Sequence, residues 1–221
     1  MAVLFTTQVD NNKCLQLANP IRLLLKYLGQ DFENVMYEQG DGPDYSAEAW
    51  LKEKYTLGLD FPNLPYLIDG DIKLTQSNAI LWHLGSKFNC LGEDEKVRAY
   101  NQMMMEQAMD FRNGLARTLY NKDYSKLIDE YFKNVHTFLK SFDAYLGGKT
   151  WFAGGKNPTT CDFPMYELLD QHRLMRPEIL TEYKNLQAFL KRFEELPKIK
   201  AYMQSDEFMK RPCNNKSAGW R

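Results

Sequence analysis

Leu57-Gly58-Leu59-Asp60-Phe61-Pro62-Asn63-Leu64-Pro65-Tyr66-Leu67-Ile68-Asp69-Gly70, followed closely by Lys73-Leu74-Thr75-Gln76-Ser77-Asn78-Ala79-Ile80, is the stretch on which the fold turns. It spells a loop, a proline-set extended turn, a tight hairpin and a helix start in quick succession. Pro65 pushes Leu64 into an extended conformation and removes one backbone donor. Leu64 then offers its N–H and C=O to a strand-like ligand, or the prolines simply shape a turn. Tyr66-Leu67-Ile68 and Ile72-Lys73-Leu74 flank Asp69-Gly70, a two-residue hairpin signal. Gln76 and Ser77 open a helix whose first N–H groups lack intrahelical partners and carry partial positive charge. They suit a ligand carboxylate, or Thr75 or Ser77 merely caps the helix.

Upstream, Val3-Leu4-Phe5 predicts a first strand. Ile21 to Gly29 predicts a helix with Pro20 in its first turn and glycine as its stop. Asn34-Val35-Met36-Tyr37 predicts a second strand, and Ala47 to Lys54 a short helix. A further helix runs from about Gln76 to Lys87. The order β-α-β-α-β-β-α describes a small sheet with helices on it. After Asn89-Cys90-Leu91-Gly92-Glu93-Asp94 the strand signals stop. Val97, Tyr100, Met104, Ala108, Phe111, Leu115 and Leu119 step at three or four residues, as do Leu127, Tyr131, Val135, Phe138, Phe142 and Tyr145. Each set predicts one long amphipathic helix. Met103-Met104-Met105 reads as core or groove lining. Thr159-Thr160-Cys161-Asp162 is a capping signal, and Leu186 to Leu196 is another helix. The division is therefore 1–88, mixed, and 95–221, all helical.

The 221 residues are 44% hydrophobic and 26% charged, with net charge −1. That fits a soluble globular protein with no electrostatic footprint for nucleic acid or an anionic membrane. No apolar run approaches the ~20 residues that span a bilayer, and Met1 to Gln8 lacks the layout of a signal peptide. Cys14, Cys90, Cys161 and Cys213 are widely scattered, which suits reduced cytosolic thiols and gives no metal-ligand spacing. His83, His136 and His172 read as helix-surface residues.

The run Leu57 to Ile80 resembles mu-class glutathione transferases. So do Tyr37-Glu38-Gln39-Gly40-Asp41-Gly42-Pro43-Asp44-Tyr45, Trp50-Leu51-Lys52-Glu53-Lys54, Trp151-Phe152-Ala153-Gly154 and Leu169-Asp170-Gln171-His172-Arg173. The similarity extends from about Leu17 to Met209, with an arthropod-like flavour around Gln107 to Gly114. The resemblance implies an α/β thioredoxin-like N-terminal domain that binds glutathione. It also implies an all-α C-terminal domain forming a hydrophobic substrate groove, a homodimer, a cytoplasmic location and detoxification. Trp50 and Lys54 would hold the glycyl carboxylate of glutathione, and Asn63 and Leu64 would pair with its backbone. Gln76 and Ser77 would take the γ-glutamyl carboxylate. Asp110 from the partner subunit would reach the γ-glutamyl amine. Phe61 would insert into the partner, and Tyr120 would line the groove for a hydrophobic electrophile, with residues near Met109 and Ala116. No metal is implied.

One stretch departs from the pattern. Where the family carries Leu-Gly-Tyr-Trp-Asp-Ile-Arg-Gly, this chain reads Leu4-Phe5-Thr6-Thr7-Gln8-Val9-Asp10-Asn11-Asn12-Lys13-Cys14-Leu15-Gln16. Anchored on Leu4, with Gln8 to Lys13 as an insertion, the tyrosine position becomes Thr6 and the tryptophan position Thr7. Anchored on Ala18 to Arg22, it becomes Asn11. The arginine expected before Trp50 is Ala47. A hydrogen bond to a charged group contributes ~1.5–3 kcal/mol, or about one to two pKa units on the glutathione sulfur. Without a replacement donor, turnover should fall roughly ten- to a hundredfold. Three readings follow: a transferase in which Thr6 or Thr7 donates to the sulfur; a non-catalytic relative that binds glutathione or a hydrophobic ligand; and a thiol-disulfide enzyme using Cys14.

Overall fold

A computed structural model describes residues 1–9, 12–13, 16–208 and 212–221, with backbone alone at 7–9, 12, 13 and 16. The expectations resting on the Thr7 side chain, Cys14 and Asn11 fall outside the described residues.

The first unit is a mixed sheet with helices. Its strands are β1 (Ala2–Val9), β2 (Asn12–Lys13), β3 (Phe32–Glu38), β4 (Tyr66–Asp69) and β5 (Ile72–Thr75), with helices α1 (Asn19–Leu28), α2 (Glu48–Glu53) and α3 (Ser77–Lys87). Central β1 lies parallel to β3 on one side and antiparallel to β4 on the other, and β5 continues from β4. Strand β1 runs on to Val9, where β2 pairs back antiparallel with Gln8 opposite Lys13. This hairpin is an addition to the expected order. Pro20 sits in the first turn of α1, and Gly29 closes it at φ 70°, a left-handed conformation that glycine adopts without a Cβ clash. In the β4–β5 hairpin Asp69 pairs with Ile72. The turn is therefore Gly70-Asp71 and not Asp69-Gly70. Gly70, at φ 63°, takes the first central position, where the strand twist demands positive φ.

Among the described residues every later element is a helix: α4 (Glu95–Leu119), α5 (Tyr124–Asn134), α6 (His136–Leu146), α7 (Asp162–Met175), α8 (Lys184–Glu194) and α9 (Pro197–Met203). The periodic run from Leu127 to Tyr145, expected as one helix, is interrupted at Val135, whose own backbone stays helical at φ −62°, ψ −24°. At this point the Tyr183 hydroxyl meets His136 Nδ1 at 2.7 Å and the His136 carbonyl at 3.5 Å. Of the expected capping pattern before α7 only the acid's half forms: the N-cap is Cys161, with no side-chain cap, and the Thr159 hydroxyl turns to Asp162 instead. Asp162 accepts from the Thr159 N–H at 2.8 Å and from the Phe152 N–H at 2.9 Å. Its burial pushes the carboxyl up to about 6.

One continuous core joins Leu4, Ile21, Leu24 and Leu67 of the sheet unit to Phe111, Phe152, Phe163 and Phe193 of the helices, with α1 packed on α7 and α9. A second cluster, Tyr37, Trp50 and Tyr66 with Phe5 and Leu64 against it, forms separately. Met104 and Met105 are buried, as the core reading of the methionine run expects, but Met103 is exposed. His172 is fully buried, which corrects the surface expectation. Cys90, Cys161 and Cys213 are free and buried. No helix among the described residues is long and apolar enough to cross a membrane.

Candidate functional site

The hairpin brings two of the expected elements to one end of the sheet. Tyr66 faces Thr75 in the β4–β5 register, so Leu64-Pro65, preceding β4, and Gln76-Ser77, following β5, emerge side by side. The Leu64–Pro65 bond is cis. Gln76 is exposed with φ 69° and ψ 112°, and its side chain makes no cap for α3. A non-glycine residue held at positive φ is costly and clusters at ligand-binding sites. The first N–H groups of α3 therefore keep their positive end uncapped. Asn63 is exposed, but its Oδ1 accepts from the Leu64 N–H at 2.9 Å. The sequence reading left that donor open. Here an Asn side chain satisfies it locally, and a strand-like ligand has to displace this bond.

Helix α2 carries the other pair. Trp50 is buried against Tyr37 and Tyr66. Lys54 follows the helix, its backbone N–H on the Trp50 carbonyl at 2.9 Å and its Nζ 5.2 Å from the Tyr55 ring. Ala47 stands at the helix N-cap with no side-chain bond. Phe61 is 77% exposed. Asp110 is exposed on α4. Tyr120 lies just past the end of α4, and its hydroxyl accepts from the Asn215 N–H at 3.3 Å. Met109 lines a small cavity with Ser77, Arg112, Pro20 and Glu167. Burial pushes the Glu167 carboxyl up to about 8 despite the neighbouring Arg112 charge. Tyr120 does not line that cavity.

Thr6 is placed differently from what a sulfur-facing donor requires. It is 2% exposed, and its Oγ1 accepts from the Arg22 guanidinium at 2.8 Å. Arg22 also donates to Asn34 at 3.1 Å. The hydroxyl is thus turned toward α1 and bound to a cation.

Several partners had no sequence signal strong enough to find them. Tyr37 donates to Glu53 at 2.8 Å and meets the Tyr66 hydroxyl at 2.8 Å. Lys216 reaches back to Asp41 at 2.7 Å, which holds the Asp41 carboxyl below its usual range. Only Glu167 left a trace, as a lone acid inside the apolar run Phe163 to Leu169.

Residues 13–86 match the family described as Glutathione S-transferase, N-terminal domain, and residues 109–206 match Glutathione S-transferase, C-terminal domain. The chain is 47% identical to Glutathione S-transferase Mu 4 of Homo sapiens over 204 residues, covering 92% of this chain and 93% of that protein. It is 48% identical to the human Glutathione S-transferase Mu 3, covering 92% and 90%. Among solved structures, the glutathione S-transferase Blo t 8 superposes with a TM-score of 0.86 at 34% identity, covering 98% of each chain. The Pi-class glutathione S-transferase of Onchocerca volvulus gives 0.84 at 27% identity, covering 98% of this chain and 99% of that one.

Proposed function

The chain belongs to the mu class of the glutathione S-transferase family, and we propose that it conjugates glutathione to hydrophobic electrophiles through a cradle whose thiolate-stabilising end has been altered. Glutathione is the co-substrate, and membership at this identity favours catalysis over a binding-only relative. The observation that carries the assignment is the hairpin end. There the half-buried Leu64 strip adjoins the uncapped start of α3, held open by the positive φ of Gln76.

In this reading Gln76, Ser77 and the α3 N-terminus take the γ-glutamyl carboxylate. Asn63 and Leu64 pair with the peptide backbone once the Asn63 side chain yields the Leu64 N–H. Trp50 and Lys54 take the glycyl carboxylate as a charge-assisted clamp. Tyr120, with residues near Met109 and Ala116, forms the wall of the electrophile groove. Asp110 completes the γ-glutamyl site of the partner subunit in a homodimer, and the exposed Phe61 anchors that dimer. We place the two units at 1–88 and 95–221. A cytoplasmic role in detoxification agrees with the three buried free cysteines, which suit a reducing compartment. Of the two threonines, Thr7 is the candidate for the sulfur contact, because the buried Thr6 hydroxyl is engaged by Arg22 and would reach the sulfur only by giving up that bond. Without such a contact, turnover is about ten- to a hundredfold below that of a tyrosine-bearing member.

The test is calorimetry with glutathione alone, followed by turnover of a chloronitrobenzene with glutathione. Saturable binding with slow conjugation is expected. Absence of binding at millimolar glutathione overturns the assignment. For the dimer, sedimentation of Phe61→Glu should give a monomer. An unchanged dimer removes Phe61 from the interface.

A further inference from the structure

Helix α2 is a poor helix by itself. It has six residues and no side-chain N-cap, and all of it except Trp50 is exposed. A segment that short does not hold its shape in water without tertiary contacts. At its start the Ser46 hydroxyl accepts from the Glu48 N–H at 3.2 Å, and among the described residues two side-chain contacts tie it to the sheet. The Trp50 ring sits edge-on to Tyr37 at 5.2 Å and lies 5.8 Å from Tyr66. Glu53, at the last turn, accepts from the Tyr37 hydroxyl at 2.8 Å.

The hydroxyls form a directed chain. Tyr37 has one proton and gives it to the Glu53 carboxylate. Its 2.8 Å contact with Tyr66 is therefore a bond in which Tyr66 donates. Tyr66 is fully buried and opens β4, directly after the Leu64-Pro65 strip. Phe5 of β1 stacks flat on it, with centroids 4.1 Å apart and planes at 6°. The chain Tyr66–Tyr37–Glu53 thus connects the strip that meets the peptide backbone to the helix that carries Trp50, with Lys54 immediately behind. Burial pushes the Tyr37 phenol well above its ordinary range, so it stays a donor throughout the working pH range.

We propose that Tyr37 is a positioning residue that, through Glu53 and Tyr66, fixes α2 against the hairpin and so sets how strongly the protein distinguishes the tripeptide from its analogue lacking glycine. Tyr37 touches no ligand; it holds the register between two halves of the cradle. A clamp on one carboxylate depends on placement within fractions of an ångström, and α2 has little else to supply it. The inference rests on the assignment of Trp50 and Lys54 to the glycyl carboxylate.

The experiment measures dissociation constants by calorimetry for glutathione and for γ-glutamylcysteine, which lacks the glycine. Wild type, Tyr37→Phe, Glu53→Ala and Glu53→Gln are compared. Wild type should prefer glutathione by about tenfold or more. Tyr37→Phe should weaken glutathione about five- to tenfold and leave γ-glutamylcysteine unchanged. Glu53→Ala should reproduce that loss, and Glu53→Gln, which keeps an acceptor oxygen, should restore most of the preference. If Tyr37→Phe weakens both ligands equally, or neither, the positioning role is wrong. If wild type itself does not distinguish the two ligands, the Trp50 and Lys54 assignment fails first and separately. Should Tyr37→Phe not fold, Glu53→Ala decides alone, since Glu53 is on the exposed surface.

Discussion

Thr6 shows how a single buried hydroxyl can serve stability where the sequence suggested chemistry. Its Oγ1 accepts a bond from Arg22, itself buried at 2% exposure. Removing the acceptor strands part of a guanidinium in the core, at a cost of about 1.5–3 kcal/mol. Thr6→Ala should therefore lower the urea midpoint while the turnover of the folded fraction stays put, and Thr6→Ser should recover the midpoint. A large drop in turnover with unchanged stability would instead return Thr6 to the sulfur. The same economy explains the Asn63 side chain, which fills a neighbouring N–H until a ligand competes for it.

At the scale of elements, two contacts hold parts of the molecule that the sequence keeps far apart. Gly85 lets α3 approach the segment before α7. A Cβ built there would lie 2.5 Å from the Thr160 methyl and 2.6 Å from Leu91. Gly85→Ala is expected to destabilise by about 1–3 kcal/mol through overpacking, read from thermal or urea unfolding. The 212–221 segment is tied down at Lys216 and Gly219. Gly219 donates to the Leu119 carbonyl at 2.8 Å, and Lys216 binds Gln39 at 2.9 Å through its backbone and Asp41 at 2.7 Å through Nζ. Asp41 is exposed, so the pair is open to screening. Lys216→Met should speed amide exchange around Ser217 to Trp220 with α4 unaffected, and high salt should do the same to wild type. No change in either would show that the backbone bonds suffice.

Across the whole molecule, buried titratable groups set the pH range of stability. His172 Nδ1 donates to the Leu168 carbonyl at 2.6 Å, so Nε2 accepts from the Tyr131 hydroxyl at 2.7 Å. Phe111 stacks on the ring at 4.5 Å. Burial lowers His172 from 6.5 to about 4. A lowered value means the folded state resists protonation, so this contribution is present above pH 6.5 and is lost as pH falls toward 4. It amounts to about 3 kcal/mol. Glu167 is raised from 4.5 to about 8, and Asp162 from 3.8 to about 6. Raised values have the opposite sign: their contribution is present in acid and is lost as pH climbs, for Glu167 between about 4.5 and 8. Glu167→Gln should therefore gain stability relative to wild type at pH 8.5 and none at pH 4.5. His172→Gln should flatten the decline between pH 6.5 and 4. Parallel curves for wild type and variants would refute both assignments.

What the sequence determined by itself was local or repetitive. Pro20 and Gly29 bracket α1, Gly70 turns the hairpin, the three-to-four spacing writes the helices, and the long ordered motifs carry the family. These signals survive because neighbouring residues make them, or because the same apolar step recurs over many turns. Only the tertiary structure decided that Thr6 meets Arg22, that His172 lies in the core, that the 127–145 run divides at Val135 into two helices, and that Tyr66, Tyr37 and Glu53 form one chain. Each of these depends on groups brought together across layers, where burial and a partner's charge set a side chain's role, and no spacing along one strand or helix encodes the identity of that partner.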